Sequence, residues 1–114
     1  MISTELLENF LDSLKDPFMF VDSEHVIRYM NKTAIAHYKK GAELLGESIF
    51  ACHNDHSCRI IREVFDDLQE GLEERLITDN HRFRIFMRAV RDGKGKLLGY
   101  YERYEPPVKR QQPE

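Results

Sequence analysis

Cysteine is scarce in this chain, with two residues in 114. That excludes a disulfide-stapled secreted scaffold and agrees with a reducing compartment. No apolar run approaches the roughly 20 residues that a membrane-crossing helix needs. The opening residues MISTELLENF also lack the positive segment and following apolar stretch of a secretory leader. The expectation is therefore a cytoplasmic protein with no membrane partner. An excess of one charge is missing too: 17 basic and 20 acidic residues leave a net −3. Charge gives no reason to expect nucleic acid or an anionic surface as partner. There is no internal repeat and no low-complexity stretch, and the length suits one core.

What is present is periodic. Leu6, Leu7, Phe10, Leu11 and Leu14 form the stripe of a first amphipathic helix over Ser3–Leu14, with Ser3 or Thr4 as cap and Pro17 as stop. The stripe packs either on its own domain or on a second copy. Phe18–Val21 and Val26–Met30 read as a hairpin joined by the turn residues Asp22 to His25. Asn31 then caps a short helix through Tyr38, with Lys39 and Lys40 in its last turn and Gly41 closing it. Ala42 to Gly46 is a further short turn or helix.

The longest helix follows. Ile60, Ile61, Val64, Phe65 and Leu68 recur on one face of a 3.6-residue period, and Gly71 stops it. Burying that face is worth roughly 1.5–3 kcal/mol per side chain. Arg75–Asn80 reads as a strand. From Arg82 to Arg91 the residues alternate, with Phe83, Ile85, Met87 and Ala89 on the core side and Arg82, Arg84 and Arg88 opposite. Asp92 to Gly95 form a turn, and Lys96–Tyr104 is the last strand. Three prolines, Pro106, Pro107 and Pro113, end regular structure. The expected division is a helix over residues 1–16, a domain over 17–105 and a loose tail over 106–114.

Three short stretches resemble one family. Phe18-Met19-Phe20-Val21-Asp22, followed by Val26-Ile27-Arg28-Tyr29-Met30-Asn31, resembles the opening hairpin of PAS domains, with an Asp at the turn and an Asn capping the next helix. Glu43-Leu44-Leu45-Gly46-Glu47-Ser48 resembles the family's Leu-Gly turn, and Gly93 to Gly99 its glycine-bearing final hairpin. The likeness covers about residues 6–105. It implies an α+β fold: a five-stranded antiparallel sheet with helices packed on one face, preceded by the amphipathic helix. It also implies a sensory and dimerisation module without catalytic residues. Such a module binds a small ligand or cofactor and relays its state to a downstream signalling protein. Members that react with flavin under blue light carry an Asn-Cys-Arg-Phe-Leu-Gln type motif; here Cys52 is followed by His53 and Asn54, so that subtype is not expected.

Function would be decided at the mouth of the long helix, where Cys52, His53, His56 and Cys58 lie within seven residues. Four readings stay open. The cysteines are small buried hydrophobes and the histidines local hydrogen-bonders. Haem is the cofactor, since haem-binding members ligate iron through a histidine on this helix; His56, or His53, or neither, would be that ligand. Thiolate and imidazole hold zinc or copper. Or Cys52 and Cys58 are a redox pair, which requires that the helix not span both. Ile61 and Phe65 would complete the cofactor-binding wall. Arg84 and Arg88 read as a solvated face or as cross-strand partners of residues such as Glu102; turned inward, they would suit an anion.

The function expected is sensing of a small ligand, in a homodimer joined through Leu6, Leu7, Phe10, Leu11 and Leu14. The alternative is a purely structural dimerisation domain with no ligand. An enzyme using His56 and Asp55 as acid and base comes third, because no oriented nucleophile or oxyanion pattern accompanies them.

Overall fold

The computed structural model of the chain describes residues 1–108; residues 109–114, most of the expected tail, lie outside the described residues. Helix α1 spans Thr4–Asp12, and the Ser3 side chain accepts from the Leu6 amide at 3.1 Å. The helix ends earlier than the expected Leu14, and Pro17 does not end it. The Ser13 amide instead folds back on the carbonyls of Asn9 and Phe10, while its hydroxyl donates to Phe10.

Strands β1 (Met19–Asp22) and β2 (Ile27–Met30) form the expected hairpin. The Asp22 carboxylate organises its turn by accepting from the Glu24 and Val26 amides. Asn31 follows, wholly buried, and every hydrogen-bonding site of its amide is used. Its Oδ1 accepts from Phe18 and Ala34, and its Nδ2 donates to the carbonyls of Leu11 and Asp16. One cap residue thus ties the end of α1, the start of β1 and the helix α2 (Lys32–His37) together. Helix α2 is shorter than expected. Tyr38 is already extended, Lys40 takes a left-handed backbone (φ 56°), and Gly41 opens a 3₁₀ turn over Gly41–Leu44 rather than closing a helix. Gly41 presses against the Ile35 backbone where a Cβ has no room.

After a second 3₁₀ turn, Ile49–Cys52, helix α3 runs from Asp55 to Gln69. The Asn54 side chain caps it by accepting from Ser57 at 2.8 Å, and Asp55 complements the dipole in the first turn. Cys58, Ile61, Val64, Phe65 and Leu68 are its buried face. Gly71 (φ 112°) ends it in a Schellman motif, with the Gly71 and Leu72 amides donating to Leu68 and Asp67.

Strands β3 (Glu74–Asp79), β4 (Arg84–Arg91) and β5 (Leu97–Glu105) complete a fully antiparallel sheet of order β2-β1-β5-β4-β3. The β4–β5 register sets Ile85 opposite Tyr104, Met87 opposite Glu102 and Ala89 opposite Tyr100. These pairs share the face roofed by α3, where Met19, Val21, Ile27, Val64, Leu68 and Met87 form the core. On the other face Arg88 and Arg103 both reach Glu74, at 2.8 and 2.7 Å, and Arg84 reaches Glu105 at 3.6 Å. Helix α1 lies against this second face, beside Phe18, Phe20, Tyr29 and Tyr101. Tyr29 donates to Glu8 and Asp12, yet Leu6, Leu7 and Phe10 stay exposed.

Candidate ligand cavity

Where β3, β4 and β5 extend past the tightly packed part of the core, the roof does not close on the sheet. A cavity of about 240 Å³ remains. Its apolar wall is Ile60 and Ile61 from α3, with Ile77, Phe83 and Ile85 from the sheet side. Its polar wall comes from several elements: His37 and Tyr38 at the end of α2, His53 and Ser57 at the start of α3, Thr78 on β3, and Glu102 and Tyr104 on β5. The early end of α2 matters here, because the extended backbone at Tyr38 departs from the helix just where the cavity begins.

Glu102 is the one carboxylate in this wall. Desolvation raises its pKa, and the nearby His53 opposes that shift. Among the described residues no hydrogen bond or ion pair reaches its carboxylate. The neighbouring phenols are held neutral: burial raises Tyr38 well above the ordinary tyrosine range, and burial together with the Glu102 charge moves Tyr104 to about 12. His53 donates its Nδ1 proton to the Ile49 carbonyl at 2.9 Å, which fixes the ring at the cavity edge.

The residues expected to form the site are distributed as follows. His53 and Ile61 line the cavity. Phe65 lies deeper, against His25 and Tyr100, and His56 is exposed on α3 and does not line the cavity. Cys52 is exposed, and its thiol contacts the Ile49 carbonyl at 3.2 Å; desolvation of the sulfur raises its pKa. Cys58 is buried on α3, and both cysteines are free thiols. Among the described residues no group of three or more His, Cys, Asp or Glu side chains converges on a point where an ion would sit. Of the two histidines expected as haem ligands, only His53 lines the cavity, and its Nδ1 is turned to the Ile49 carbonyl.

Two corrections concern charged and polar side chains. Arg84 and Arg88 pair with Asp79, Glu105 and Glu74, not with Glu102. Glu102 stands on the opposite face because it shares the inward parity of Tyr100 and Tyr104. His25, expected only as a turn residue, is half-buried with a left-handed backbone (φ 67°). Its ring packs 4.5 Å from that of Phe65 and 4.7 Å from that of Phe50, and its Nδ1 shares a hydrogen bond of 2.9 Å with the Tyr100 hydroxyl.

An antiparallel five-stranded sheet with α2 and α3 over one face and a small polar cavity beneath them defines a class of α+β sensory domains. The model of the PAS domain family matches residues 7–105, and the chain belongs to that family. Solved structures agree on the fold. A C-terminal domain from Streptococcus mutans is 22% identical with a TM-score of 0.78, over 95% of this chain and 87% of that one. A sensory box sensor histidine kinase from Vibrio cholerae is 13% identical with a TM-score of 0.65, over 92% of each chain. The Aer2 receptor of Vibrio cholerae, a dual PAS-heme oxygen sensor, is 21% identical with a TM-score of 0.55, over 77% of this chain and 90% of that one. No curated protein matches the chain. Among the described residues no helix is long and apolar enough to cross a membrane.

Proposed function

We propose that this PAS domain senses a small molecule held in the cavity beside Glu102 and relays occupancy through α2 to α1. The observation that carries the reading is the cavity between α3 and the sheet, with the half-buried Glu102 as its one carboxylate and, among the described residues, no side chain hydrogen-bonded to it. A half-buried carboxylate that no side chain pairs has acceptor oxygens free for a donor that a ligand brings.

A physical route for the relay supports it. His37 and Tyr38 line the cavity, and the other end of α2 is bonded to the α1 segment through Asn31, through the Lys32 amide on Asp12 and through the Thr33 hydroxyl on the Leu14 carbonyl. A ligand that favours one setting of Tyr38 shifts α2 and with it α1, provided it binds the two settings unequally. The exposed Leu6, Leu7 and Phe10 give α1 an apolar face for a second copy or a downstream partner. A cytoplasmic, non-enzymatic signalling role is the setting in which this arrangement makes sense.

The test is to titrate the small-metabolite fraction of a cell lysate into the ¹⁵N-labelled chain. Amide shifts should concentrate at Tyr38, His53, Ser57 and Thr78 and spread to Asn31 and Leu11. They should disappear in Thr78→Trp, which fills the cavity with a side chain suited to a strand. Shifts confined to the other face of the sheet, or none at all, would contradict the reading.

A further inference from the structure

The chemistry of the wall says what kind of molecule it would take, an inference that rests on the ligand-sensing reading above. The polar groups that reach the cavity are the Glu102 carboxylate, which as an anion only accepts, the hydroxyls of Ser57, Thr78, Tyr38 and Tyr104, which accept as well as donate, and the rings of His37 and His53. No lysine or arginine lines it. The arginines of β4 and β5 are occupied on the other face with Glu74, Glu105 and Asp79. An anionic ligand would therefore meet a carboxylate with no lysine or arginine beside it, whereas a cation would be attracted by that carboxylate. Phe83 and Tyr104, packed edge to face at 5.4 Å, also line it. The rest of the lining is the apolar surface of Ile60, Ile61, Ile77 and Ile85.

We infer that the cavity takes a small organic ammonium ion, its charge set against Glu102 and its apolar body against the isoleucines of α3, β3 and β4. The volume of about 240 Å³ limits that body to about one ring or a short chain. A primary ammonium has three donors, which the Glu102 carboxylate and the hydroxyl oxygens beside it can accept. A carboxylic acid of the same size has the wrong charge, and the corresponding alcohol brings one donor and no charge.

Benzylamine, benzyl alcohol and benzoate share one ring and differ in the group that matters. Each is titrated into the ¹⁵N-labelled full chain at neutral pH, with binding read from the amides of Tyr38, His53, Ser57 and Thr78. Benzylamine should bind at least about tenfold more tightly than benzyl alcohol, the size expected of a charge-assisted hydrogen bond, and benzoate should not bind. Glu102→Gln should remove the preference for the amine, and Glu102→Asp, which keeps the charge, should retain part of it. The amide spectrum of each variant reports directly that it is folded. Equal binding of amine and alcohol, or an amine preference that survives in Glu102→Gln, would overturn the inference and leave the ligand-sensing reading standing. Failure of all three probes would overturn the inference as well, and the metabolite titration then judges the broader reading separately.

Discussion

His25 and Glu102 lie toward different ends of one sheet face, and both are half-buried ionisable groups whose pKa desolvation shifts. At the His25 end the protein supplies everything the group needs. The imidazole is stacked among Phe50 and Phe65, hydrogen-bonded to Tyr100, and held neutral because desolvation, aided by the charge of Arg62, lowers its pKa. At the Glu102 end phenols and isoleucines surround the carboxylate, and among the described residues the lining holds no lysine or arginine and no side chain hydrogen-bonded to it. The difference teaches where a fold is finished and where it is left open. A polar group whose partners lie within the chain fixes a core, and a half-buried one without them is free to take a partner from outside.

The comparison can be broken most forcefully at the finished end. Phe65→Ala removes a wall of the aromatic cluster and should cost about 3–5 kcal/mol in chemical denaturation, as large-to-small changes in packed cores do. A smaller loss would mean that this end is looser than its contacts indicate. Tyr100→Phe keeps the ring and deletes the hydroxyl that pairs with His25, and should cost about 1–3 kcal/mol.

The pH dependence of the two ends should have opposite sign. A histidine with a lowered folded pKa contributes stability that is present above its unfolded value near 6.5 and lost as the pH falls below it. Thermal melts should therefore drop on acidification below about pH 6.5, and His25→Gln should flatten that slope. Glu102, whose folded pKa is raised, penalises the fold once the pH rises above the ordinary glutamate range. Glu102→Gln should give the smallest change of the series and the only gain, present at pH 7 and absent at pH 4. A destabilised Glu102→Gln would show that the carboxylate already has a partner.

Much of the fold was legible in the chain because it rests on local chemistry. The stripe Ile61, Val64, Phe65 and Leu68, the stop at Gly71, the cap at Asn31 and the alternation Ile85, Met87, Ala89 need no knowledge of distant residues, and each stands as read. The site was less legible because it depends on register and on where α2 stops. Glu102 belongs to the inward set with Tyr100 and Tyr104, but a glutamate between aromatics reads as a solvent-facing residue until the pairing with Met87 is known. Tyr38 reads as the last residue of a helix, and only the left-handed Lys40 and the crowding of Gly41 against Ile35 show that the chain has already turned toward the cavity. The opposite error concerns the Cys-His run. Ligand-type residues close in sequence spread over a 3₁₀ turn, a cap and two faces of a helix, so His53 reaches the cavity while His56 faces solvent.

One measurement bears most directly on the claim that the open end holds a carboxylate with no protein partner. The side-chain carboxyl carbon of Glu102 can be followed by ¹³C NMR through a pH titration of the ligand-free chain. The account predicts a midpoint above the ordinary glutamate value of 4.5. A midpoint at or below that value would place a cation or several donors on Glu102 within the chain itself, and the cavity would then have no reason to be a binding site.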